Sequence, residues 1–159
     1  MGYALFPNAV RSLILATLLT IPLSCFAADD PFTGSWKLDP ARTKSVPAAT
    51  PTVIRIEAGT GSMVFVEHRP KATREPYDLT VRADFGGKVA GVMDSPEIDA
   101  AKCWRSDSRT ILIEFLSGGA TFEWQTAEVS KNGKTLKITI SLPDANGKEI
   151  KSAAFYEKQ

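Results

Sequence analysis

Histidine occurs once in this chain and cysteine twice, so the side chains that bind metals or carry out nucleophilic chemistry are scarce. A zinc site takes three or four such ligands, and a nucleophilic triad needs partners for its base. His68, in "VFVEHRP", has only Cys103 as a thiol partner, and no spacing brings the two together. It is expected as a surface imidazole at a strand end. Phosphate-cradling glycine loops, nucleophile elbows and metal-spacing motifs are absent. The carboxylates of Asp84, Glu97, Asp99 and Glu114 fall in expected loops or on outward faces, where they serve solvation. No catalytic residue, metal or cofactor is therefore expected.

An excess of charge is lacking too. Lysine and arginine total 19 against 18 acidic residues. That balance supplies no basic field for a phosphate backbone, which argues against a nucleic-acid partner. Long apolar runs are also missing, apart from "LILATLLTIPL" at Leu13 to Leu23. About 11 residues fall short of the roughly 20 that a membrane-crossing helix needs. With Arg11 before it and the small-residue stretch "SCFAA" after it, the run has the order of a secretory signal peptide. Cleavage is expected after Ala27, so residues 1–27 are leader and 28–159 one domain, exported to the periplasm or the exterior of a bacterium. A lipid-anchored variant at Cys25 is conceivable from "PLSC", although Pro22 is unfavourable for it. Once Cys25 is gone or lipidated, Cys103 has no disulfide partner, and apolar burial alone must hold the fold.

What the domain does have is alternation. In "TLKITISL", Leu136, Ile138, Ile140 and Leu142 share one face; in "YDLTVRADF", Tyr77, Leu79, Val81, Ala83 and Phe85 do. "TILIEF" adds Ile111, Ile113 and Phe115, and "TVIRIEA" adds Ile54, Ile56 and Ala58. Turn chemistry interrupts this pattern every eight to twelve residues, which predicts an all-β sandwich or barrel. Asn132-Gly133 suits a type I′ hairpin turn, with Asn146-Gly147, Gly118-Gly119, Gly86-Gly87 and Thr60-Gly61 as looser cases. Hairpins without helical crossovers make an antiparallel up-and-down meander of eight to ten strands, and closing it into a barrel removes its edges. The proline-rich stretch at 40–51 is a loop, with a helical turn near Ala41 to Ser45.

Candidate contact residues follow from the same alternation. In "AAKCWRS", one register turns Ala101, Cys103 and Arg105 inward; the other turns Trp104 inward and leaves Arg105 solvated. An inward Arg105 must meet a carboxylate, water or a ligand anion, and Cys103 would then be a small buried hydrophobe. "ATFEWQTAEV" groups Phe122, Trp124 and Thr126 against Glu123 and Gln125, so the two rings either line or fill an interior. Tyr77 and Tyr156 have hydroxyls for a ligand or a neighbouring strand. The expected ligand is one small, mainly hydrophobic molecule inside the barrel. The alternative is a solid-cored barrel that docks or inhibits an exported protein partner, with Trp104 as anchor if it faces outward.

The opening "F-x-G-x-W-K-L", at Phe32, Gly34, Trp36, Lys37 and Leu38, resembles the start of the calycin barrels, lipocalins and intracellular fatty-acid-binding proteins alike. The ending "FYEKQ" resembles the last strand of the fatty-acid-binding group. Across most of the domain, "GSWKLDPARTKS", "DSPEIDAAKCWR", "EVSKNGKTLKITI" and "DANGKEIKSAAFYEKQ" resemble a family of uncharacterised secreted bacterial lipocalin-like proteins. The resemblance implies that the first and last strands pair and that Trp36 plugs the closed end. It brings no activity with it. Lipocalins often lay a last-strand basic side chain over that tryptophan, and Lys151 and Lys158 are the candidates. Fatty-acid-binding proteins usually hold the ligand carboxylate with an arginine two residues before the last-strand tyrosine; Ala154 stands there, and the two-helix lid is missing too.

Overall fold

The computed structural model describes residues 30–44, 46, 50–70, 75–144 and 146–159. The expected leader and Cys25 lie outside the described residues. Among those described, no helix is long and apolar enough to cross a membrane.

Ten strands follow one another among the described residues: β1 Gly34–Leu38, β2 Val53–Ala58, β3 Ser62–Arg69, β4 Tyr77–Asp84, β5 Ala90–Met93, β6 Ala100–Asp107, β7 Thr110–Ser117, β8 Ala120–Val129, β9 Thr135–Pro143 and β10 Glu149–Lys158. Each pairs antiparallel with its sequence neighbours, and β1 pairs with β10, so the meander closes as an up-and-down barrel. The alternation places the strands because a buried face repeats every second residue. Ile54 and Ile56, Leu79, Val81 and Ala83, Ile111, Ile113 and Phe115, and Leu136, Ile138 and Ile140 all turn into one core. Each of the larger ones contributes roughly 1.5–3 kcal/mol when fully buried.

Two turns differ from expectation. Gly118 and Gly119 both have positive φ, 57° and 82°, between the paired Ser117 and Ala120. The two-residue hairpin with left-handed geometry at both positions is therefore this one. At Asn132-Gly133 only the glycine is left-handed, at 70°. There the loop is wider: Ser130 Oγ donates to Asn132 Oδ1, which also accepts from Lys134 N, and Ser130 Oγ accepts from Thr135 N. Those local bonds stabilise Asn132 in an ordinary conformation. In the β1–β2 connection a single turn does form, with Thr43 N donating to Asp39 O and Asp39 Oδ1 accepting from Ala41 N. Lys44 then bridges to Ala153, prolonging the edge contact with β10.

Closure is organised at one end by Trp36. It is fully buried, and its indole N–H donates to Phe32 O at 2.9 Å. Lys158, opposite it on β10, lays its ammonium 5.2 Å from the ring centroid. Gly34 makes this crossing possible: a Cβ there would sit 2.7 Å from Lys158 Cε, and its φ of 142° disfavours any other residue. Leu38 pairs with Tyr156, so the two chain ends lie side by side. Trp36→Ala is expected to lower stability by about 3–5 kcal/mol, read as a shift in the urea midpoint without a change in slope.

Candidate functional site

The barrel has two unlike ends. One carries the β2–β3, β4–β5, β6–β7 and β8–β9 turns and both termini of the described domain; the other carries the β1–β2, β3–β4, β5–β6, β7–β8 and β9–β10 connections. Arg105 belongs to the first. It turns inward with Cys103 and meets the carboxylate of Asp30 through Nη1 at 2.5 Å and Nη2 at 3.1 Å. It also donates to the carbonyls of Gly59, Asp107 and Ser108, and lies over the rings of Phe32 and Phe85. Its charge is thus met by the chain itself, and it ties the residues before β1 across the closed end.

At the other end the interior is not wholly apolar. The inward face of β3 runs Met63, Phe65, Glu67, Arg69, and that of β8 runs Val129, Ala127, Gln125, Glu123. The last two residues of each series meet. Arg69 donates through Nε to Glu67 at 2.5 Å and through Nη2 to Glu123 at 2.8 Å. Gln125 Nε2 donates to Glu67 at 3.0 Å and to Glu123 at 2.7 Å. All four side chains are buried, Glu67 completely. The face of Phe115 lies 5.5 Å from the Arg69 guanidinium carbon, and Tyr156, close by, donates to Pro51 O at 3.0 Å.

Two features of this cluster are unusual. Two carboxylates share one guanidinium, and Gln125 Oε1 is buried without a hydrogen-bond partner. Burial pushes the Glu67 carboxyl above the ordinary glutamate range, with Glu123 adding to the shift against the opposing pull of Arg69. Burial opposes the charge on Arg69, but Glu67 and Glu123 outweigh it and hold the guanidinium charged. Burial, then Glu67, raise the Tyr156 hydroxyl. Such a network is poor value for stability, since buried ion pairs do no better than apolar packing of the same volume.

The remaining expected contacts distribute as follows. Tyr77 stands opposite Arg69 in the β3–β4 register and is half-buried beside the cluster. Cys103 is fully buried, and burial pushes its thiol up to about 12. The expectation that Trp124 and Phe122 together face the interior is corrected for Trp124, whereas Phe122, half-buried, packs against the core. Trp124 is 39% exposed on the outer wall, stacked on Trp104 with centroids 5.8 Å apart. Phe122 is the extra residue of a β-bulge where Leu116 pairs with Thr121 and Phe115 with Glu123. The inward face of β8 therefore carries the polar residues that the rings were expected to displace. Gly87, with φ 70°, lies under Trp104: a Cβ there would sit 2.2 Å from the indole nitrogen. His68 is at the surface, its Nδ1 2.7 Å from Asp78. Glu114 is outward but buried, held by Thr121 and Lys102.

Sequence reasoning missed Glu67, Arg69, Glu123 and Gln125. The signal was present, since extending Met63-Phe65 forward and Val129-Ala127 backward by twos reaches all four.

A cleft of about 590 Å³ runs outside along β7 to β10. Of its lining cations Arg42, Arg109, Lys131 and Lys137, Lys137 is engaged by Glu128 and Arg42 by the ring of Phe155. Among the described residues no group of histidine, cysteine and acidic side chains is placed to hold a metal ion. Comparison of the chain with family models, curated proteins and solved structures finds no match.

The buried cluster generates a stability test. Arg69→Met alone is expected to cost about 3–5 kcal/mol by stranding two carboxylates, whereas Glu67→Leu, Arg69→Met, Glu123→Leu and Gln125→Leu together leave stability equal or higher. Denaturant unfolding of the two variants distinguishes them. For Cys103, peptide mapping after iodoacetamide at pH 8 should show no alkylation of the native protein and full alkylation in guanidinium.

Proposed function

We propose that this chain is an exported, non-enzymatic binding protein whose barrel holds a small, mainly hydrophobic molecule with its polar end on the Glu67–Arg69–Glu123–Gln125 cluster. The observation that carries this reading is the cluster itself, a set of fixed polar groups at one end of an otherwise apolar interior. Ligand sites have that composition: apolar walls and a few convergent polar groups that set orientation. A fold that needed only stability would place apolar side chains there. Tyr77, half-buried beside Arg69, and Tyr156 complete the polar rim of the proposed site.

Export rests on the order of Arg11, the apolar run and the small residues before Ala28. A lipocalin-like kinship is part of the same proposal, supported by the F-x-G-x-W opening and by Lys158 lying over Trp36. The Trp104–Trp124 stack, half-buried at Trp104 and exposed at Trp124, favours a second reading, in which the outer wall docks a protein partner around two large rigid rings.

Native mass spectrometry of protein purified from its own host tests the first reading. The expected result is a chain beginning at Ala28 that carries a small molecule released on denaturation. Repeated recovery of the bare chain, with no thermal stabilisation by ten-carbon amphiphiles, overturns it. Trp36 sits at the opposite end and Trp104 and Trp124 face the outer wall, so mass and calorimetry are the suitable readouts.

A further inference from the structure

Resting on the binding reading above, we infer that the buried cluster selects a molecule whose polar end is a hydrogen-bond donor carrying positive charge, a protonated amine, rather than the carboxylate of a fatty acid. The argument begins with the count of charges. Among the described residues, Glu67 and Glu123 are faced by Arg69 alone. Among the described residues, Arg105 bound to Asp30 and Lys158 capping Trp36 belong to the opposite end. Among the described residues one carboxylate is therefore in excess within a buried site, and an uncompensated buried charge is met by a proton or by a cation.

The count of donors and acceptors points the same way. Nε and Nη2 of Arg69 are committed to Glu67 and Glu123, and Gln125 Nε2 serves both carboxylates. Among the described side-chain atoms wholly cut off from solvent, the one without a partner is an acceptor, Gln125 Oε1, on a side chain only 1% exposed. Turning that amide over would point its oxygen at two carboxylates, so the bonds to Glu67 and Glu123 fix the acceptor's direction. An entering carboxylate would bring a second excess negative charge and no donor. An ammonium brings both what the charge count and the acceptor require.

Three ten-carbon probes, decylammonium, decanol and decanoate, differ in the head group and share the tail. Isothermal titration of the wild-type domain at neutral pH is expected to show decylammonium binding at least tenfold more tightly than decanoate, with decanol between them. Decanoate binding as tightly as decylammonium, or more so, overturns the amine inference and leaves the binding reading standing. If none of the three binds, both fall. Glu123→Gln removes the surplus charge, and its preference is expected to shrink to within about threefold; an undiminished preference in a folded Glu123→Gln protein places the probe elsewhere and overturns the inference. The wild-type comparison decides the matter even if that variant does not fold.

Discussion

The pairing of β1 with β10 is the constraint on which the rest depends. An open ten-strand meander would expose two rows of unsatisfied backbone groups and leave one face without a partner sheet. Closure removes both problems at once, because the inner faces then pack on one another as a single core. The device that secures it is local and specific. Gly34 has no side chain, so Lys158 can cross to the buried Trp36, whose indole hydrogen is taken by Phe32 O. Arg105 reaches from β6 to Asp30 and fastens the same end from the far side of the barrel.

With one end sealed in this way, the interior separates into two chemical regions. The lower part is a conventional core of aliphatic and aromatic side chains with Cys103 among them. The upper part concentrates ionisable groups on β3 and β8, strands that lie on opposite sides of the cylinder and bring Arg69 and Glu123 together across 54 positions of sequence. The outer wall carries its own aromatic feature, the Trp104–Trp124 stack, which Gly87 supports from beneath. The wall is least reinforced at β5, joined to β4 and to β6 by two residue pairs each. Fewer ladder bonds make that stretch the natural place for the cylinder to breathe.

Much of this architecture was legible in the chain. Alternation in "YDLTVRADF" and "TLKITISL" identified the inward residues, since a period of two is a direct consequence of strand geometry. Where two registers fitted "AAKCWRS", the structure chose the one that buries Cys103 and gives Arg105 its carboxylate. In "ATFEWQTAEV" hydrophobicity misled: the rings suggested an inward face, but Trp124 and Glu123 took the opposite sides. Trp124 finds a second indole outside, while Glu123 and Gln125 find Glu67 and Arg69 inside, and neither partnership is visible within ten residues of strand. Asn132-Gly133 failed as a two-residue turn for a similar reason, since bonds from Ser130 outweighed the preference of the pair.

By itself the sequence determined the all-β class, the meander order and the positions of nearly every strand, because these follow from local periodicity, turn residues and the need to hide edges. Only the tertiary structure decided which polar side chains are enclosed. That choice depends on groups from distant strands compensating one another's charge, and a buried charge is tolerable only when its partner, remote in the chain, arrives at the same place.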